Sequence, residues 1–310
     1  MSQTQNQNQN QQQQDSKQKH PWLRRIKVTL GPLEEWRGSR KGEVITWMSD
    51  GTMNGLRITG TFNKTVMGQP SPTQISLYNL GQEIRNGITG SLTKITVECG
   101  YNNTDLQLLF QGSVLYAETH RSGPDLITKV SALPGYGAIV RGSSSKTFAP
   151  GTPVKTAVTT LAKDLPGVEV GDDQLKGIKG NIGAGGWSYA GSTKDGLTQL
   201  AEEYGFSWSI QDGKMTAIDD KLILPEFIEL NGENGGLIDV TPQVEGPMAI
   251  MKGVKVKAIY VPGVTAGQSV KINSKLNPKL NGTYRINTAS ISVDAYSESW
   301  TMDLDCKKGW

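Results

Sequence analysis

From about residue 21 onward, apolar residues mostly recur at every second position, the period of a strand with one buried face. Arg57 to Phe62 and Gln74 to Tyr78 read as strands. Ile95, Val97, Cys99 and Tyr101 alternate cleanly, and Val114 to Ala117 and Leu126 to Leu133 are two further strands separated by the turn residues Ser122-Gly123-Pro124-Asp125. Short strands this closely spaced, with glycine-rich turns, predict a small barrel or sandwich over residues 21–145.

The period changes near residue 150. Thr152 is expected as an N-cap with Pro153 at the first helical position, and Val154, Ala157, Val158 and Leu161 form an apolar stripe that stops before Pro166-Gly167. A second helix is expected from Ser192, whose spacing to Asp195 resembles a capping box, to Gly205, which suits a left-handed cap. Phe206, Trp208 and Ile210 then alternate up to Asp212-Gly213, with Met215 and Ala217 beyond, the pattern of a hairpin with a type I′ turn. Residues 146–224 therefore read as a small α+β domain.

After Pro225 the strand period returns in Val254 to Tyr260, Val270 and Ile272, Tyr284 and Ile286, and Ile291 and Val293; Trp300, Met302, Leu304 and Cys306 then share one face. A second barrel over residues 225–310 is the economical expectation. The fold class is mainly β with an α+β insertion, two small tube-like β-barrels flanking a helix and hairpin domain. Both β regions also run through a strand, a loop, a glycine (Gly112 or Gly282) and a pair of strands; the loop lengths differ, so a duplicated barrel stays one of two readings.

Residues 1–20 are mostly Gln and Asn with no apolar residue beyond Met1, too little to offset the entropy of ordering, so this tail is expected to be disordered unless a partner binds it. No stretch approaches the length of a membrane-spanning helix and no apolar segment follows Met1, so neither a membrane anchor nor a secretory signal is expected.

The formal net charge of +3 is near balance for 310 residues and gives no whole-chain nucleic-acid footprint. Residues 17–41 are the exception, with Lys17, Lys19, Arg24, Arg25, Lys27, Arg37, Arg40 and Lys41 against Glu34 and Glu35. Trp22, Leu23, Ile26, Val28 and Leu30 alternate with these charges as on a surface strand, which makes Arg24, Arg25 and Lys27 candidates for docking an acidic partner; a nucleic-acid or membrane contact is the rival reading, with no nucleic-acid-binding motif beside the charge. Cys99 and Cys306 are too few for a disulfide framework; a reducing compartment fits, and a single bridge is the other option.

Candidate chemistry is sparse. His20 and His120 are the only histidines, one in the tail and one in an expected loop, which gives a nucleophilic triad little to work with. The doublets Glu34-Glu35, Asp172-Asp173, Glu202-Glu203 and Asp219-Asp220 point their members to different faces and read as solvated surface, with a glycosidase acid pair as the rival. Gly186 to Thr193 approaches a phosphate loop but lacks its lysine, and reads as a flexible loop leading into a helix cap. Ser143-Ser144-Ser145-Lys146 matches S-x-x-K without its companion motifs and reads as a linker. No catalytic residue, metal or cofactor is expected.

One set of short strings is more specific in combination than any piece alone. Ile58-Thr59-Gly60-Thr61-Phe62-Asn63-Lys64, Ile75-Ser76-Leu77-Tyr78-Asn79-Leu80, Val97-Glu98-Cys99-Gly100-Tyr101 and Phe110-Gln111-Gly112-Ser113-Val114 follow one another as in the baseplate or tail hub proteins of long-tailed bacteriophages. Asp195-Gly196-Leu197, the hairpin through Gly213, and Asn281-Gly282-Thr283-Tyr284-Arg285-Ile286 extend the resemblance over residues 57–305. It implies a structural protein of the virion tail, assembled in the host cytoplasm: a homotrimer whose paired barrels make six copies around a pore for nucleic acid. Such a ring adapts the sixfold tail tube to the threefold central spike, with the tape-measure protein as a further contact. Phe62, Tyr78, Asn79, Leu80, Gly100, Tyr101, Phe110, Gly112, Asn281 and Gly282 are then packing and turn residues. The alternatives are a tail-tip carbohydrate- or receptor-binding β protein, suggested by seven tryptophans, and a cell-wall glycosidase.

Overall fold

The computed structural model describes residues 23–31, 44–50, 55–68, 70, 72–88, 93–102, 104–225, 227–233, 236–245 and 250–308. The tail, His20, Trp22 and Glu34-Glu35 lie outside the described residues. The first region holds β1 (Arg24–Gly31), β2 (Ile45–Ser49), β3 (Ile58–Thr65), β4 (Thr73–Tyr78), α1 (Gln82–Gly87), β5 (Lys94–Tyr101), β6 (Gln107–Ser122), β7 (Asp125–Leu133) and α2 (Tyr136–Arg141). The middle holds β8 (Ser143–Phe148), α3 (Val154–Ala162), β9 (Leu175–Lys176), β10 (Trp187–Ser192), α4 (Thr193–Tyr204), β11 (Phe206–Gln211) and β12 (Lys214–Asp219). The last holds β13 (Phe227–Asn231), β14 (Leu237–Glu245), β15 (Ile250–Ile259), β16 (Ser269–Asn273), β17 (Gly282–Asp294) and β18 (Trp300–Lys308).

The chain is mainly β with a helix- and hairpin-bearing middle. The two β regions are joined rather than separate: one 13-stranded sheet runs β14-β15-β18-β17-β3-β4-β7-β6-β5-β1-β2, with β16 beside β17 and β13 beside β16. No closed barrel forms among the described residues; the path ends at β14 and at β2. The joint is β3 against β17, antiparallel, with Phe62 opposite Ile291 and Gly60 opposite Val293. Alternation decides which face of a strand is buried, but it carries no record of the partner, so this long-range pairing has no local signature. A single apolar core accordingly spans both regions, from Ile26 and Val97 to Ile291 and Cys306. The middle has its own core of Val158, Leu161, Leu197, Trp208 and Met215, which already takes in Ala138.

Strand order repeats within the sheet. The first region runs β1-β5-β6-β7-β4-β3 in space and the last runs β13-β16-β17-β18-β15-β14, so six strands occur twice in the same chain order and the same spatial order. The long strands match in detail, each with a bulge just beyond its pairing to the preceding strand, between Val114 and Tyr116 in β6 and between Ile286 and Thr288 in β17. Two differences break the repeat: β2 has no counterpart, and β1 meets β5 antiparallel where β13 meets β16 parallel.

Several local expectations are corrected. Tyr284-Ile286 and Ile291-Val293 belong to one strand, whose bulge at Asn287 moves the buried set from even to odd positions. Ser143–Phe148 and Trp187–Ser192 are not a linker and a flexible loop but strands β8 and β10, paired with each other. His120 stands on β6 near the tip of the β6–β7 hairpin rather than in a loop. Pro153 is the N-cap of α3, one position later than expected, because the Val154 N–H is taken by the Gly180 carbonyl and Thr152 Oγ1 turns back to Ala149. Ser192 caps α4 by position without a side-chain bond, and the Thr193 N–H goes to the Gly142 carbonyl. The hairpin turn matches its expectation, with positive φ at Asp212 (52°) and Gly213 (80°), as does Gly205 at φ 71°.

Candidate functional surface

The sheet buries one face and turns the other outward, and over eight neighbouring strands, β14 to β6 along the path, that outer face is mostly polar, with Tyr116 and Ile259 as exposed apolar residues on it. Register lines the residues up in rows: Thr241, Lys255, Asp305 and Thr288 form one, and Asp239, Lys257, Asp303 and Ser290 another. The same face continues across the joint with Asn63 and Thr61 on β3, Gln74 and Ser76 on β4, Lys129 on β7, and Glu118 and His120 on β6. The wall is concave over β14, β15, β18 and β17. Its exposed charges include the acids Glu118, Asp239, Asp303 and Asp305 and the bases Lys129, Lys255, Lys257 and Lys307 with His120, so the signs nearly balance. Such a surface presents hydroxyls, amides and mixed charges over a broad area.

The residues picked out from the sequence hold this wall rather than form a cleft. Phe62 and Phe110 are buried and meet at 5.8 Å, and a Cβ on Gly112 would lie 2.8 Å from the Leu133 carbonyl and against the Phe110 ring, so only glycine fits there. Tyr78 lies under the Arg57 guanidinium at 4.9 Å, and Arg57 pairs with Asp294 at 2.9 Å. Asn79 has positive φ (56°), accepts the Leu126 N–H, and donates through Nδ2 to Asp125, which clamps the β6–β7 hairpin; Leu80 is buried beside it. Asn281 Oδ1 accepts the Ser274 N–H and so closes the loop before Gly282, which opens β17 opposite Ile272.

Gly100 pairs with Arg25 in register, and Tyr101 beside it reaches across to the last region. The Trp300 indole N–H donates to the Tyr101 hydroxyl at 3.0 Å, and that hydroxyl donates to the Tyr260 carbonyl at 3.2 Å. Burial raises the Tyr101 pKa from its ordinary value, with the Trp300 hydrogen bond acting the other way. Arg24 lies 5.6 Å over the Trp300 ring and donates to the Ser297 carbonyl, and Lys27 pairs with Glu98 at 2.6 Å.

Nothing in the sequence marks the seam between the middle and the sheet. Lys64, only 6% exposed, meets Asp212 of the hairpin turn at 2.9 Å, while Gln211 donates to the Thr65 carbonyl and accepts from Thr265. Arg285 donates to the Asp219 carbonyl, and its pKa is lowered by burial against the pull of Asp220 and Asp219. A lysine in a strand and an aspartate in a turn read separately as surface, so only their meeting reveals the contact.

The chemical motifs dissolve into packing. Lys146 pairs with Asp164, Ser144 bonds Asp164 and Thr193, and Ser143 bonds the Gly191 carbonyl. Asp172 pairs with Lys155. Cys99 and Cys306 are buried and unbridged, their pKa values pushed up by burial. Among the described residues no cluster of three His, Cys, Asp or Glu is arranged to hold a metal, and no helix is long and apolar enough to cross a membrane.

The fold of this large sheet with its helix- and hairpin-bearing middle is similar to that of phage tail proteins of known structure. A tail protein from Neisseria meningitidis MC58 aligns at TM-score 0.58 and 11% identity, covering 91% of this chain and 96% of its own. A 43 kDa tail protein of prophage MuSo2 from Shewanella oneidensis aligns at TM-score 0.59 and 8% identity, covering 92% and 98%. The E. coli c3393 protein, a type VI secretion component described as similar to T4 tail proteins gp27 and gp5, aligns at TM-score 0.56 and 11% identity, covering 83% and 75%. No curated protein matches by sequence. The sequence profile of the Baseplate hub gp41 family matches residues 44–306, and the chain belongs to that family. It is thus a baseplate hub-like structural protein of a phage tail.

Proposed function

We propose that this chain is a non-enzymatic baseplate hub, a homotrimeric ring that adapts the sixfold tail tube to the threefold central spike. The observation that supports this best is the repeat: six strands occur twice in one order, so three copies supply six similar units around an axis. In this reading residues 21–145 and 225–310 act as tube-like barrel walls, residues 146–224 sit between them, and residues 1–20 form an arm ordered by a partner. The polar eight-strand face lines the pore. With its signs nearly balanced, it offers a passing nucleic acid no cation array on which to condense.

Docking on an acidic face of the tail tube or spike falls to Arg25, because Arg24 and Lys27 already hold partners within the chain. The tape-measure protein meets the arm or the loops of the ring. Assembly takes place in the host cytoplasm. Cryo-electron microscopy of tail tips tests the proposal: three copies around the axis between tube and spike are expected, and six copies, or density along the tail shaft, reject it.

A further inference from the structure

The chain between β13 and β14 reads Asn231-Gly232-Glu233-Asn234-Gly235-Gly236. An Asn-Gly step is where an asparagine most readily loses its amide nitrogen, because glycine has no Cβ to shield its own backbone nitrogen from the preceding side chain. Five such steps occur, at Asn54, Asn86, Asn231, Asn234 and Asn281, and of these Asn54 and Asn234 lie outside the described residues. The other three sit in different surroundings.

Asn231 closes β13, opposite Asn273 in the last rung of the β13–β16 ladder. Its Oδ1 accepts the Glu233 N–H at 3.1 Å, an Asx turn that folds the side chain over the following peptide and brings Cγ toward the Gly232 nitrogen. The same hydrogen bond draws electron density away from Cγ. Gly232 and Glu233 are exposed, and a Cβ built on Gly232 would have no atom within 4 Å, so water reaches the turn. Asn281 is held the other way. Its Oδ1 accepts the N–H of Ser274, seven residues back, at 2.7 Å, and Gly282 is tied into β17 opposite Ile272. Asn86 and Gly87 end helix α1, with Gly87 buried.

We propose that Asn231 is a site of spontaneous deamidation, with water as the one co-reactant. The Gly232 nitrogen attacks Asn231 Cγ, a C–N bond forms there, and the bond from Cγ to Nδ2 breaks. Ammonia leaves with the proton of the Gly232 N–H, and a succinimide ring remains. Water adds to either ring carbonyl and opens the ring to aspartate or isoaspartate, with no change in oxidation state. In the isoaspartate the main chain runs through Cβ and Cγ, so the turn gains a methylene where β13 leads toward β14. The Asx turn is then lost, and a new carboxylate stands beside Glu233, the ion-pair partner of Lys275. Among the described strands β13 is held by β16 alone, so this change loosens its end.

Ageing of the purified full chain at mildly alkaline pH tests the proposal. Peptides are read by mass spectrometry, with fragmentation that separates residue 231 from 234 and isoaspartate from aspartate, and heavy-oxygen water marks conversions that occur during ageing. Asn231 should convert several-fold faster than Asn281, and Asn86 should stay intact. In urea the three should convert at similar rates, because turn, ladder and helix are gone. Gly232→Ala meets no neighbouring atom and needs no positive φ, so it should fold as the native chain does and suppress conversion at residue 231 alone. Asn231 converting no faster than Asn281 in the folded chain overturns the proposal. So does a ranking that persists in urea, or a Gly232→Ala chain that converts at residue 231 as before. None of these outcomes bears on the hub reading, which the images of tail tips decide separately.

Discussion

The two β regions share six strands in one order, yet they treat the equivalent edge oppositely. On β3 the outward positions are Gly60 and Phe62, and they accept β17 with full backbone pairing and a buried aromatic. On β14 the same positions are Val240, its backbone groups tied to Asp239 and Asn277, and Pro242, which lacks a donor. A backbone topology can thus be repeated while its edges are assigned different tasks, because edge behaviour depends on a few side chains.

The sharpest way to break the comparison is to cut both edges at the same place. Phe62→Ala should destabilise the chain by about 3–5 kcal/mol, since it empties a buried site at the joint, whereas Pro242→Ala should change stability by less than about 1 kcal/mol. Urea denaturation measures both, and equal costs would mean that the two edges are not treated differently.

The thiols compare the two regions under alkali. Burial raises the pKa of Cys99 in the first region and of Cys306 in the last, while in the unfolded chain a thiol ionises near pH 8.5 or so, about its free value. The stability held by keeping both neutral is complete below that pH. It falls as pH rises above it, by up to about 1.4 kcal/mol per pH unit for each thiol. Replacing either cysteine by alanine should remove an equal part of this alkaline slope in denaturation series run at several pH values; an unaltered slope contradicts the burial argument.

The middle is tied to the first region by charge. Asp212→Asn strips the partner from a lysine that is 6% exposed and should cost about 2 kcal/mol, with faster amide exchange across the β11–β12 hairpin. A change confined to the turn itself would mean that the seam does not depend on this pair. The smallest effect concerns the hairpin clamp: Asn79→Ala should cost about 1 kcal/mol and speed exchange at the Leu126 amide, which the Asn79 side chain holds. The β17–β18 turn, held instead through Asp294, should not respond.

Much of this protein is legible along the chain because strand period, helix stripe and turn chemistry are local. Asp212-Gly213 turns where its residues permit positive φ, Gly205 ends α4, and Trp300 to Cys306 bury one face of β18. Ser143–Phe148 and Trp187–Ser192 were harder, since serine, glycine and lysine carry little strand preference and each strand forms only against the other. The family strings identified the first region, yet they could not say that Asn79 clamps a hairpin or that Tyr101 receives the Trp300 indole. The sequence alone determined which residues face the core, where the chain turns, and to which family it belongs. Only the tertiary structure decided that β3 joins β17, that Lys64 meets Asp212, and that one polar wall spans both β regions. Those outcomes depend on pairings between residues far apart in the chain, whose free energy appears only when both partners are brought together.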